Sequence, residues 1–91
     1  MEMHQIIYFL ALCEERNFHR AAQLCDVAQP SLSNAIKRLE SKLGGALFYR
    51  DNSGARLTKL GNLVKSRLQK IRLVAERAHE VAQKFSAKLS L

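Results

Sequence analysis

The first part of the chain alternates apolar and polar residues with the period of a helix. Its apolar positions are spaced i, i+3, i+4 and i+7, and they are Ile6, Phe9, Leu10 and Cys13. This spacing places them on one face of an amphipathic helix, which we predict over about residues 3–15. Asn17 tolerates the left-handed conformation that commonly ends a helix, so we expect the helix to stop there. A short second helix is predicted over residues 20–25, where two small alanines allow another helix to pass close by.

A third helix is predicted from Pro30 to Leu43. Proline is favourable in a first helical turn, and the pair Gly44 and Gly45 ends the pattern. Apolar residues at helical spacing share one face, and they are Leu32, Ile36, Leu39 and Leu43. The opposite face is polar, and only a tight connection separates this helix from the preceding one. Two helices joined in this way are typical of a helix-turn-helix.

Two short β-prone runs follow, over residues 47–50 and 55–57, around a cluster of turn residues at 51–54. They predict a small two-stranded wing rather than a full sheet. Thr58 is a good N-cap, and the helical pattern after it continues to about Ala87 without a proline. A helix of about thirty residues is ~45 Å long.

The long helix carries an apolar stripe that repeats every seven residues. The predicted stripe consists of Val64, Leu68, Ile71, Val74, Ala75, Ala78, Val81, Ala82 and Phe85. A long helix with such a stripe needs a partner to cover it, which predicts a homodimer. The expected fold is therefore mainly α: a winged helix-turn-helix head in residues 1–57, with three helices and a two-stranded wing, followed by a dimerisation helix in residues 58–91.

The charge of the chain is basic and unevenly placed. Fifteen lysines and arginines stand against eight acids, a formal net charge of +7. Residues 29–67 hold eight bases and two acids, a net +6, whereas residues 1–28 carry a net −2. A basic face confined to one region of a small domain indicates a polyanionic partner, nucleic acid before membrane.

The polar face of the third helix carries the residue types that read DNA in the major groove. Side chains near the start of such a helix must be short enough to approach base edges, and Gln29, Ser31, Ser33 and Asn34 meet this requirement. Lys37, one turn further, can reach guanine or a phosphate, and Arg38 is suited to a flanking phosphate. Around the wing, Arg50 and Arg56 are candidates for the minor groove or adjacent phosphates, and Thr58 and Lys59 for phosphates at a helix start.

Other classes of function find little support in the sequence. The three histidines are scattered, and no catalytic triad order, paired carboxylates or glycine-rich phosphate loop occurs, so no enzyme and no cofactor is expected. No apolar stretch approaches membrane-spanning length, and no basic leader is seen, so we expect a cytoplasmic chain. Cys13 and Cys25 are expected to be buried free thiols, with a redox pair as the alternative.

Several motifs together resemble the LysR-type bacterial transcriptional regulators. They are Phe18-His19-Arg20-Ala21-Ala22, the run from Ala28 to Glu40, Leu43-Gly44, Leu47-Phe48-Tyr49-Arg50 and Arg56-Leu57-Thr58-Lys59-Leu60-Gly61. The resemblance implies a winged helix-turn-helix with a linker helix that pairs antiparallel with its twin. It also implies tetramers in full-length proteins, interrupted inverted repeats with A/T-rich ends as targets, and a small-molecule inducer bound by a C-terminal domain that is absent from these residues. The base-contacting positions of the family map onto Gln29, Pro30, Ser33, Asn34 and Lys37.

The chain departs from the family pattern at a few positions. Asn34 stands where arginine is common, which bears on base preference. Ala28 replaces a frequent serine, so the third helix lacks a side-chain cap, and His19 stands where threonine or serine usually caps the second helix. Two other classes remain as alternatives: a protein-assembly module that uses the long helix with a non-binding head, and a membrane-surface binder through the basic helix over residues 60–89.

Overall fold

Three short helices, a two-stranded hairpin and one long helix follow one another along the chain. The computed structural model describes residues 1–52 and 54–89. Its elements are α1 (Met3–Glu15), α2 (Phe18–Leu24), α3 (Gln29–Leu43), β1 (Phe48–Asp51), β2 (Gly54–Leu57) and α4 (Lys59–Leu89). The predicted turn residue Ser53 and the last two residues of the predicted segment 58–91 lie outside the described residues. The fold is the mainly helical winged helix-turn-helix that the sequence predicts, followed by a long helix.

The junction between α1 and α2 differs from the prediction. Arg16, not Asn17, takes the left-handed conformation after α1, with φ 57°. Asn17 is extended and is the N-cap of α2, where its Oδ1 accepts a hydrogen bond of 2.8 Å from the backbone N–H of Arg20. The helix therefore begins at Phe18 rather than at residue 20, and His19 lies inside its first turn instead of at the capping position.

The core of the head lies where α1, α2 and α3 meet. Its largest fully buried side chains come from α1, α3 and the loop before β1, and they are Phe9, Leu12, Leu32, Ile36, Leu39 and Leu47. Ala21 and Ala22 of α2 are buried as well, and their small side chains let α2 pack closely on its neighbours. Because the buried residues of α3 lie on one face, its polar face is left outside.

The two wing strands pair antiparallel, with Tyr49 opposite Arg56 and Asp51 opposite Gly54. The wing is docked on the head through the turn after α1, because the backbone N–H of Ala55 donates a 3.0 Å hydrogen bond to the carbonyl of Arg16. Gly54 has φ 107°, and a Cβ at this position would stand 2.3 Å from the same carbonyl oxygen. Glycine is therefore required here both for its conformation and for the close approach of two backbones.

The first turns of α4 are part of the head. Leu68 is only 2% exposed and packs in the same core as α1 and β1, with Val64 at its edge. Leu68 was predicted to contact a second chain, but its side chain is already covered within one chain. α4 has 31 residues and a length of about 46 Å, so most of it extends away from the head. None of the helices in residues 1–52 and 54–89 is long and apolar enough to cross a membrane.

Candidate nucleic-acid interface

The outer face of α3 presents most of the residues predicted to read DNA. Those that are exposed are Gln29, Pro30, Ser31, Asn34, Lys37 and Arg38, whereas Ser33 is half-buried. We call this set of seven the recognition face. Short polar side chains stand at its N-terminal end and cations follow one turn later, so it offers hydrogen-bonding groups to base edges and charges to the flanking phosphates.

The wing arginines are each held by an acid and an aromatic ring. Arg56 pairs with Asp51 at 3.0 Å, and its guanidinium carbon lies 5.6 Å from the ring centre of Tyr49, its cross-strand partner. The side chain of Arg56 stays 63% exposed, so it remains presented to a ligand. Arg50 is less free: it pairs with Glu40 at 3.0 Å and is 36% exposed.

Thr58 and Lys59 have different roles in the structure. Thr58 is 7% exposed, and its hydroxyl donates to the carbonyl of Ala46 at 2.6 Å and accepts from the N–H of Gly61 at 3.0 Å. The predicted N-cap is confirmed, but the same bonds occupy the hydroxyl that was predicted to contact phosphate. Lys59 is exposed at the first position of α4 and keeps its charge available.

An open groove of about 560 Å³ lies between the wing and the starts of α2 and α3. Its lining includes Gln29 and Arg50 from the predicted set, together with His19 and Asn52, which the sequence prediction did not include. Both are exposed and polar. The sequence does not mark them, because their place in this groove depends on how the wing docks on the head, to which the backbone bond between Ala55 and Arg16 contributes.

A second surface is apolar and lies on α4. Beyond Leu68 the stripe is uncovered: Ile71 is 40% exposed, and Val74, Val81 and Phe85 are each more than 60% exposed. Met3 and, beside it, Ile7 of α1 extend the apolar surface, and a shallow groove of about 440 Å³ runs between Met3 and residues 70–78 of α4. The two α1 residues were missed from the sequence because they lie outside the heptad stripe.

Both cysteines are free, as predicted, but they are half-buried rather than fully buried, and both pack against the core of the head. Burial raises the pKa of the Cys13 thiol from 9.0 to about 11, although Lys65 nearby acts in the opposite direction. Burial also raises the pKa of Cys25. In the part of the chain that the structure describes, no three His, Cys, Asp or Glu side chains come together as metal ligands could.

Comparison with known proteins relates this geometry to regulators of transcription. The profile of the bacterial regulatory helix-turn-helix proteins of the lysR family matches residues 3–62. The chain is 40% identical over 83 residues to the HTH-type transcriptional regulator BudR of Klebsiella aerogenes, covering 91% of this chain and 58% of BudR. It is 33% identical over 95 aligned positions to the DNA-binding transcriptional dual regulator OxyR of Escherichia coli, covering all of this chain and 31% of OxyR. The chain thus spans 58% of the length of BudR and 31% of the length of OxyR.

Solved structures agree in fold. The DNA-binding domain of CbnR in complex with DNA superposes with a TM-score of 0.86 at 30% identity, covering 94% of this chain and 99% of that domain. Full-length OxyR from Pseudomonas aeruginosa gives a TM-score of 0.87 at 38% identity, covering 92% of this chain and 28% of that protein. The profile match over two thirds of the chain, the identity to BudR and the shared fold lead to one conclusion: the chain belongs to the LysR family of bacterial helix-turn-helix regulators.

Proposed function

We propose that this chain binds double-stranded DNA in a sequence-specific manner and thereby regulates transcription in the bacterial cytoplasm. The recognition face enters the major groove, where Gln29, Asn34 and Lys37 contact base edges. The wing lies over the neighbouring minor groove, with Arg56 as its most available cation. The observation that carries the proposal is the uncovered polar face of α3 beside a basic wing, in a fold shared with domains solved on DNA.

We also propose that the DNA-binding unit is a homodimer held by α4. The apolar residues from Ile71 to Phe85 are uncovered in one chain, and burying them stabilises a pair of chains in proportion to the apolar area removed from water. Two heads related by a two-fold axis fit an interrupted inverted repeat, and A/T-rich ends suit the narrow minor groove that arginine prefers. In this proposal residues 1–57 read DNA and the helical segment from residue 58 sets the distance between the heads.

Fluorescence anisotropy across a salt series tests the proposal. The probes are an inverted-repeat duplex with A/T-rich ends and a scrambled duplex of the same composition. We expect tighter binding to the repeat than to the scrambled duplex. The logarithm of the affinity should fall by roughly 0.9 for each phosphate contact when the salt concentration rises tenfold. Equal, salt-dependent binding to both duplexes contradicts sequence specificity. Absence of binding to either at low salt contradicts DNA binding and favours an assembly module that uses α4 alone.

A further inference from the structure

Glu40 is the only acid on α3, and both of its carboxylate oxygens are engaged. Oε2 accepts a 2.7 Å hydrogen bond from the backbone N–H of Leu47, and Oε1 accepts a 3.0 Å bond from Nη2 of Arg50. Its side chain is 15% exposed. One carboxylate thus links α3 to the residue before β1 and to a side chain of β1.

Arg50 is held on a second side by α2. Its guanidinium carbon lies 5.2 Å from the ring centre of Phe18, the first residue of that helix. An arginine between a carboxylate and an aromatic face has its planar head fixed in orientation. We call Phe18, Glu40 and Arg50 the wing clamp, because these three residues join α2, α3 and the wing.

An acid on a DNA-facing helix repels phosphates, so Glu40 opposes the general affinity of the basic surface for DNA. A partly exposed ion pair adds little to the stability of a fold. What the wing clamp does is different: it holds the wing at one distance from α3, and it withdraws the charge of Arg50 from unselective contact with phosphate. Both effects favour a matched duplex over an arbitrary one.

We propose that Glu40 is a positioning residue that determines how well the protein discriminates between DNA sequences, acting through Arg50. The inference rests on the proposed function and assigns a specificity role to a residue outside the set that we propose to contact DNA. Loss of the pair lets the wing shift, which weakens binding to the matched duplex. It also frees Arg50 for phosphates, which strengthens binding to any duplex.

The test compares Glu40→Gln, Arg50→Gln and the double variant with the unchanged chain. Glutamine keeps an acceptor for the N–H of Leu47, so Glu40→Gln removes mainly the ionic contact with Arg50. Glu76→Gln is the matched control, because it makes the same charge change in the Arg72–Glu76 pair on α4. The probes are the duplex that the unchanged chain enriches from a randomised library and a scrambled duplex of the same composition. Thermal unfolding of each variant sets an assay temperature at which all are folded.

We expect Glu40→Gln to lower the ratio of matched to scrambled affinity roughly fivefold, which is the upper end of what one partly exposed ion pair contributes. Its slope of log affinity against log salt on the scrambled duplex steepens by up to about 0.9, because one more cation meets phosphate. A loss of stability alone does not change this slope. Removing Arg50 as well abolishes the steepening, and the double variant discriminates no worse than either single variant. The Glu76→Gln control leaves both ratio and slope as they are.

An unchanged ratio in Glu40→Gln overturns the inference while leaving the proposed function in place. Additive losses in the double variant also overturn it, because Glu40 then acts independently of Arg50. If the unchanged chain enriches no duplex and does not discriminate, the proposed function fails and the inference fails with it. Should Glu40→Gln not fold, Glu40→Asp takes its place: its shorter side chain cannot reach both partners, and an unchanged ratio in that variant contradicts the inference.

Discussion

Gly61 is a position where adding one methyl group is expected to destabilise the head. The residue is helical with an ordinary φ, so it is needed for space rather than for conformation. A Cβ there would stand 2.3 Å from the carbonyl oxygen of Leu47 and 2.7 Å from Cδ2 of Leu57. The carbonyl oxygen cannot move away freely, because it accepts a 2.9 Å hydrogen bond from the N–H of Thr58. The Thr58 hydroxyl is in turn bonded to the carbonyl of Ala46.

The magnitude follows from three opposing effects. Alanine is favoured over glycine within a helix by about 1 kcal/mol. Overpacking against backbone costs ~1–3 kcal/mol, and weakening the Thr58 bonds costs about 1 kcal/mol more. The balance for Gly61→Ala is a loss of about 2 kcal/mol in the free energy of unfolding, which lowers Tm by roughly 10 °C in a domain of this size.

Differential scanning calorimetry at one fixed protein concentration measures this change. Ser66→Ala is the matched control, since Ser66 is exposed further along the same helix and gains helix propensity without meeting a neighbour. We expect this control to unfold at or slightly above the Tm of the unchanged chain. A Tm for Gly61→Ala that equals or exceeds that of the unchanged chain would refute the steric reasoning.

Four further outcomes are expected. Ala28→Ser supplies the missing side-chain cap of α3, whose N-cap backbone is already extended. It should raise Tm by roughly 5 °C in a calorimetric scan. If Tm does not rise, the serine hydroxyl does not accept a hydrogen bond from an N–H of the first turn. Ile71→Asp places a charge in the apolar stripe and should give monomers in sedimentation, whereas Ala87→Asp, on the opposite side of α4, should not; an intact Ile71→Asp dimer would show that the interface lies elsewhere. Asn34→Ala should relax the base preference at one position of the DNA site in a binding-site selection experiment. An unchanged base preference would show that Asn34 does not contact a base edge. The raised pKa of Cys13 leaves roughly a hundredfold less thiolate at pH 8 than an ordinary thiol has. Alkylation of Cys13 by iodoacetamide should therefore be slow in the folded chain and fast in denaturant. Equal alkylation rates in the two states would contradict the burial of this thiol.

The helices could be predicted where local signals agree with the final packing. α1 runs over the residues that its apolar spacing indicates, and α3 lies between a favourable proline and a left-handed Gly44. The position of α4 follows from the capping residue Thr58 and from the absence of proline after it. These elements depend on neighbours within one or two turns, which the sequence displays directly.

The wing and its contacts could not be predicted in the same way. Asn17 is the residue type that tolerates the left-handed conformation, yet Arg16 adopts it. The carbonyl of Arg16 accepts a hydrogen bond from the backbone N–H of Ala55 in the wing, so the position of this turn is tied to tertiary structure. The periodicity of α3 shows which face is polar, but not that Glu40 on it binds Arg50. That pair forms only because the loop after α3 folds back. The exposed residues of α3 could therefore be predicted from the sequence, whereas the ion pairs of the two wing arginines could not.

The burial of Leu68 and Gly61 in the head has a consequence for how α4 forms. An isolated helix must first close a turn at a loss of entropy, and most of α4 is exposed in one chain, so little packing offsets that loss. The head fixes the first turns of α4, so the rest can grow from an existing helical end. Amide hydrogen exchange should then be graded: amides near Leu68 open only with the head, and those beyond Ile71 open by fraying until a second chain covers them. We therefore expect the head to supply the helical end from which α4 extends, and a second chain to stabilise its outer turns.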